Sequence, residues 1–319
     1  VVVEYRPFRN SDLPQLVRLW HESELGRGAA RGFSYEAFDR LVIGQHYFDP
    51  AGFLVACHES QLVGFVHAGF RSNDTESWID RSAGAICAVV VHPAHRRQGI
   101  GRELIARGEA YLQQAGASSI QIGAAPPCDP FYHGLYGGAT VSGFLESNSA
   151  TAPFLASLGY QPAERYVVLQ RSLTIGDPIS FRISLIRRKM DTVIFSLPEQ
   201  PTWWWFSRTG RLENVQFRLV PKGSSDAVAA VTVSGMDLYV QTIGERAIAL
   251  TDLIVKDASR RQGHGQALLL EVIRRMRQEQ VTLAEAHIPE TNVPAIATFQ
   301  SVGFQPVDRG IVYRRPASK

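Results

Sequence analysis

Arg96-Arg97-Gln98-Gly99-Ile100-Gly101 and Arg260-Arg261-Gln262-Gly263-His264-Gly265 are two versions of one hexapeptide in a chain of 319 residues. Before each stands a short, β-branched, nearly uncharged run, 85–91 and 248–255, which reads as a buried strand. After each, Leu104, Ile105, Gly108 and Leu112 match Leu268, Leu269, Val272 and Met276 at helical spacing. Both hexapeptides therefore sit at a helix N-terminus. Free backbone N–H groups and the positive end of the helix dipole gather there, and glycine lets a bulky anion approach the main chain. The arginines add charge suited to a polyphosphate.

Two other phosphate-binding signals fail. A P-loop needs Lys-Ser or Lys-Thr after its last glycine, whereas Arg102-Glu103 and Gln266-Ala267 follow here. A dinucleotide fingerprint needs a third glycine, and Leu104 and Leu268 occupy that position. What remains, Arg-x-x-Gly-x-Gly after a buried strand, resembles the acetyl-CoA pyrophosphate motif of the GNAT superfamily of N-acetyltransferases. A second landmark agrees: Asn148, Thr151, Leu155 and Gly159-Tyr160 repeat the spacing of Asn292, Ala295, Phe299 and Gly303-Phe304. The glycine turns are 164 residues apart and the asparagines 144, so the first copy holds 20 additional residues, around 124–144.

The resemblance implies a tandem α/β (α+β) protein with two GNAT-like domains, 1–174 and 179–319, each a mixed, mostly antiparallel sheet flanked by helices. It implies acetyl-CoA as cofactor and an amine, small molecule or peptide, as acceptor. In the first copy the cofactor residues would be Val89, Val90, Val91, Arg96, Arg97, Gln98, Gly99, Ile100, Gly101, Arg102 and Asn148. In the second they would be Leu253, Ile254, Val255, Arg260, Arg261, Gln262, Gly263, His264, Gly265, Gln266 and Asn292. Equivalence of the two turns leads to the expectation of two cofactor sites per chain. In length and domain pairing the chain is also similar to the two-domain acetyltransferases that finish mycothiol assembly. An acyl-CoA-binding protein without turnover is the competing reading, because the tyrosine that many family members carry in the final helix is replaced by Leu155 and Phe299.

Acetyl transfer needs a neutral amine, a donor for the developing oxyanion and a path for the amine's proton. Asp252, on the strand before the second turn, is the candidate base, with His287 on the neighbouring strand in support; Ala88 is its first-copy equivalent. Inside the inserted segment, Cys128-Asp129-Pro130-Phe131-Tyr132-His133-Gly134-Leu135-Tyr136 offers Tyr132 and Tyr136, with Asp129 and His133, as acceptor or proton-transfer groups, or else as packing anchors.

Composition excludes several classes. Lys and Arg number 33 against 30 Asp and Glu, with no basic stripe interleaved with aromatics, which argues against nucleic acid. Cys57, Cys87 and Cys128 are scattered without metal spacing, so no metal site and no disulfide framework is expected. No run approaches the roughly 20 apolar residues of a membrane span, and a cytoplasmic enzyme is the expectation. In the second copy, 179–186 reads as a strand, the run Trp203-Trp204-Trp205 reads as a strand, and no counterpart of the opening helix at Leu13, Leu16, Val17 and Trp20 is evident. Strand 166–173 is expected to close the first sheet.

Overall fold

The computed structural model describes residues 2–138, 140–178 and 180–316. The first half runs β1 (Glu4–Pro7), α1 (Leu13–Glu22), α2 (Tyr35–Phe38), β2 (Phe53–His58), β3 (Gln61–Ser72), β4 (Ile79–Val91), α3 (Ile100–Gln114), β5 (Ser119–Ile122), β6 (Phe144–Leu145), α4 (Thr151–Ala156) and β7 (Gln161–Ser172). The second runs α5 (Phe181–Lys189), β8 (Met190–Phe195), α6 (Trp203–Thr209), β9 (Asn214–Pro221), β10 (Ala229–Gly235), α7 (Val240–Ile243), β11 (Ala247–Val255), α8 (His264–Gln278), β12 (Leu283–Pro289), α9 (Val293–Ser301) and β13 (Gln305–Arg314). Among the described residues no helix is long and apolar enough to cross a membrane.

All strands join one 13-stranded sheet in the order β1-β2-β3-β4-β5-β13-β7-β12-β11-β10-β9-β8, with β6 on β13. Within each half the strand before the glycine turn runs parallel to the strand after its helix, β4 to β5 and β11 to β12. That parallel pairing is short. The last matched pairs are Ile86 with Ile122 and Ala249 with Glu285, after which β4 and β11 continue toward their turns paired with β3 and β10 only. The strands therefore part at the same level in both halves, leaving backbone N–H groups of residues 87–91 without a β5 partner.

The closing strands are exchanged. β7 pairs with β12 and β13, and β13 pairs with β5, so each half receives its last strand from the other. The expectation that 166–173 closes the first sheet is corrected: Val168 lies opposite His287, and Ile122 is matched by Tyr313. Polar residues lock the exchange. Buried Glu285 accepts a hydrogen bond from Gln170 Nε2 at 2.6 Å and faces Arg27 at 3.5 Å, while Ser142 Oγ lies 2.6 Å from His287 Nδ1. Burial alone would raise the Glu285 carboxyl, yet hydrogen bonds from His287 and Gln170 and the charge of Arg27 hold it below the usual range.

The second half is not missing its opening helix. Strand β8, helix α6 and strand β9 repeat the sequence β1, α1, β2, and the tryptophans form α6 rather than a strand. Thr202 caps this helix, its Oγ1 accepting from Trp205 N–H at 3.0 Å, and the helical turn directs Trp204 fully inward. Of the expected strand 179–186, residue 179 lies outside the described residues and 181–186 are likewise helical. Phe181, Ile183 and Leu185 alternate as in a strand, but Ile183 and Ile186 are the buried pair, three residues apart on the face of α5 that meets α8. Ser180 caps the helix, and Arg187, Arg188 and Lys189 stand at its negative end.

Close backbone contact fixes β13 in its foreign sheet. A Cβ at Gly310 would stand 1.9 Å from the Ser142 carbonyl oxygen, and one at Gly143 would meet Ile311 O at 2.3 Å. Gly310→Ala is expected to destabilise the protein by about 1–3 kcal/mol, the range for overpacking a filled site. Gly176→Ala, with no atom within 4 Å of its Cβ, is the control. Thermal unfolding of both variants checks this; equal melting temperatures would contradict the close approach.

Candidate active site

The hexapeptides fold alike down to their side chains. Arg97 and Arg261 have φ of +64° and +60°, and Gly99 and Gly263, each preceding the helix, have +85° and +86°. Arg96 Nε donates to Val91 O at 3.1 Å and Arg260 Nε to Val255 O at 3.2 Å. Gln98 and Gln262 donate to Ala94 O and Ala258 O. The first arginine of each motif thus ties the turn to the strand behind it, and the glutamine ties it to the short 3-10 turn in between. Arg96, Arg97, Arg102, Arg260 and Arg261 are all exposed.

What lies over the turns differs. No atom comes within 4 Å of a Cβ built at Gly99, and the turn opens into a cavity of about 660 Å³. Its walls include Val89, Val90, Val91, Arg96, Arg97, Gly99, Gly101, Arg102, Asn148, Tyr132 and Tyr136, so most first-copy candidates converge on one space. Gln98 and Ile100 are not in its walls; Ile100 is buried in the core. Trp20 and Leu25 at the end of α1, Cys87 on β4, and Phe154 on α4 also line it. Sequence reading missed these four. Apolar helix periodicity marked Trp20 as core, which it also is.

Over Gly263 lies α5. A Cβ there would meet Ile186 Cδ1 at 3.1 Å and Arg182 Nε at 3.2 Å, and Arg182 Nη2 donates to Arg261 O at 2.7 Å. A helix supplied by the preceding segment therefore occupies the space that stands open at Gly99. His264 is turned inward, its Nδ1 3.1 Å from Ser259 O, and Asn292 caps α9 by accepting from Ala295 N–H at 3.2 Å. Gln266 Nε2 donates to Ser301 Oγ at 2.7 Å. Leu253 and Val255 pack on the core of the second half, and Ile254 is 60% exposed. The expectation of two equivalent turns is corrected here: the local conformation is duplicated, the access is not.

The catalytic candidates separate in the same way. His287 has both ring nitrogens engaged, Nδ1 with Ser142 and Nε2 with Glu285 Oε1 at 3.0 Å, and belongs to the seam between halves. It is not the partner of Asp252. That aspartate sits at a bulge in β11 with φ of +52° and is exposed, its nearest bonded group being Thr251 Oγ1 at 3.3 Å. Desolvation by the surrounding protein raises its carboxyl above the usual range. Asp129 is fully buried, paired with Arg208 of α6 and with His133 at 3.3 Å, and so joins the halves instead of meeting substrate.

Tyr132 and Tyr136 alone of the loop candidates face the cavity. Tyr136 accepts from Leu145 N–H at 3.2 Å, and burial pushes its phenol up to about 12. Tyr132 stacks on Trp20 at 5.7 Å and 12° between planes, with its hydroxyl 3.1 Å from His67 Nδ1. His67, on β3, is wholly buried against Phe53 and Phe131, and burial lowers its imidazole to about 3.

The model for the acetyltransferase (GNAT) family matches residues 14–137 and 188–304. A mycothiol acetyltransferase of Propionibacterium freudenreichii is 32% identical over 117 residues, 36% of this chain and 35% of that protein, so the match spans about a third of the relative's length. Acetyltransferase SG1711 of Sodalis glossinidius is 30% identical over 120 residues, covering 38% of this chain and 74% of that one. In three dimensions the chain is similar over its full length, and that of the other, to a tandem GNAT protein from the clavulanic acid biosynthesis pathway, with a TM-score of 0.69 at 17% identity.

His67 gives the site a pH signature. Its folded value, about 3, lies below the unfolded 6.5, so the unfolded chain takes up the proton first. Its contribution to stability is complete above pH about 6.5 and is lost as pH falls toward about 3, at up to roughly 1.4 kcal/mol per pH unit. Chemical unfolding at pH 7 and pH 4.5 should show a smaller acid loss in His67→Phe than in the unmodified protein. Equal losses would mean that His67 titrates normally in the fold.

Proposed function

Because the chain belongs to the acetyltransferase (GNAT) family, we propose that it transfers the acetyl group of acetyl-CoA to an amine, with the cofactor held by the first half alone. The observation that carries this reading is the contrast between an open Gly99 turn and a Gly263 turn covered by Arg182 and Ile186. The residues of the first turn suit the cofactor. Arg97 and Arg102 are exposed beside the N-terminus of a 15-residue helix, where free N–H groups and positive potential receive phosphates. On the side away from β3, the backbone of Val89, Val90 and Val91 offers a strand edge for the pantetheine amides, with Asn148 and Phe154 also in the cavity wall.

Bound acetyl-CoA supplies the acyl group as a thioester. The protein's part is to hold the acyl end at the β4 bulge around Cys87, to exclude water with Trp20, Leu25 and Tyr132, and to admit the acceptor. Ala88 puts no carboxylate on β4, Glu24 in the cavity wall lies 3.9 Å from Arg96 of the turn, and the proton of the amine leaves through water at the open mouth. Asp252, on β11 of the second half and outside the walls of this cavity, takes no part. A reading without turnover draws on Leu155 and Phe299, both buried core side chains where an acid could stand. The match to a mycothiol acetyltransferase makes that protein's acceptor the first amine to screen.

Calorimetric titration with CoA should give one site per chain. Arg97→Glu should weaken binding on the order of tenfold or more, the worth of one charge-assisted hydrogen bond, whereas Arg261→Glu should leave it unchanged. Two sites, one of them abolished by Arg261→Glu, would overturn the assignment. In a screen of amines followed by release of free thiol, Asp252→Asn should stay within about twofold of the unmodified protein, since a lost general base typically costs about a hundredfold.

A further inference from the structure

Tyr132 is held at φ of +74°, a region that non-glycine residues enter only when their surroundings force them to, and it is 1% exposed. Among the described residues its hydroxyl meets one group, Nδ1 of His67, which lies opposite Ala88 in the β3–β4 register and so stands at the level of the β4 bulge. The other ring nitrogen of His67, Nε2, is buried without a protein partner. Burial keeps this imidazole neutral, so only one of its nitrogens carries hydrogen. A proton on Nε2 would be an orphaned buried donor; a proton on Nδ1 would be donated to the Tyr132 oxygen and leave only a lone pair unmet. Orphaned buried N–H groups are the rarer defect. With Nδ1–H donating, the oxygen of Tyr132 is an acceptor and its own hydrogen must point away from His67.

We infer that Tyr132 presents its hydroxyl hydrogen to the acyl end of the first-half cavity as a catalytic hydrogen-bond donor, and that His67 is the positioning residue that aims it. The inference rests on the proposed cofactor site. No proton changes hands: the tyrosine donates a hydrogen bond to the acyl oxygen as charge gathers there and keeps its hydrogen throughout. Burial raises the phenol well above its ordinary value and lowers the imidazole, which leaves both groups neutral across the working pH range. A donor arriving from the inserted segment into the cavity that α4 also lines supplies what Leu155 cannot.

Infrared difference spectra of protein loaded with acetyl-CoA labelled with ¹³C at the carbonyl test this without an acceptor. In the unmodified protein the carbonyl band should lie below that of free acetyl-CoA; in Tyr132→Phe, at equal occupancy, it should return most of the way. His67→Phe should return it in part, His67→Gln, whose amide N–H can still donate to the tyrosine, should restore the shift, and the Tyr132→Phe, His67→Phe pair should match Tyr132→Phe alone. Turnover of an amine found in the screen should fall about a hundredfold in Tyr132→Phe, as when one oxyanion donor is removed. A band unmoved by Tyr132→Phe at full occupancy overturns the donor; Tyr132→Phe alone decides that point if His67→Phe does not fold. Additive shifts in the pair overturn the positioning role. Failure of acetyl-CoA to bind the unmodified protein instead overturns the cofactor reading.

Discussion

The exchange of β7 and β13 is the constraint from which the remaining geometry follows. A parallel pair such as β4 and β5 ends after Ile86 and Ile122, and an edge left there would expose a row of unpaired backbone groups. β13 covers the far side of β5, and β7 covers β12, so both edges are closed with material from the opposite half. The price is a seam in which charged residues are buried. Glu285, Gln170, His287, Ser142 and Arg27 meet that demand by satisfying one another, which is the condition under which a buried carboxylate is tolerated.

On this common frame the same hexapeptide has two outcomes. Identical backbone signs, identical arginine ties to the strand and identical glutamine bonds show that the turn conformation is set locally. Access is set from elsewhere. The first turn follows α1, whose end leaves room beside Ser23 and Leu25, whereas the second is overlain by α5, a helix placed ahead of its own first strand. Function in this family of folds resides in such grafted surroundings rather than in the architecture itself.

The sequence carried the parts that obey local rules. Two glycine turns, the strands before them and the helices after them were legible because left-handed glycines, β-branched runs and helical spacing are short-range features. Helix α5 was misread since Phe181, Ile183 and Leu185 alternate, and only burial of Ile186 reveals the helical face. Likewise Trp203, Trp204 and Trp205 carry no periodicity of their own; Thr202 as a cap was the one available sign. Strand exchange could not be read, for β7 and β13 occupy equivalent places and either pairing satisfies the alternation of their side chains. His67 was invisible for a different reason: a histidine in an apolar strand shows its partner only when the inserted loop is folded over it.

Exchange also orders events in time. Ile122 finds its β-partner in Tyr313, and Val168 finds one in His287, so pairings that complete the first half wait for nearly the whole chain to be made. Contacts between residues so distant in sequence carry a large loop-closure cost and slow the search for the native state. During synthesis, which proceeds from the N-terminus, β5 and β6, whose Phe144 lines the cavity beside Gly99, therefore lack their β13 partner until the second half has emerged. A chain interrupted before β13 would leave β5 with an open edge, a ready template for pairing with other chains. The second half, closed at its own turn, thus acts on the first as an intramolecular chaperone whose last strand backs Phe144 in the cavity wall.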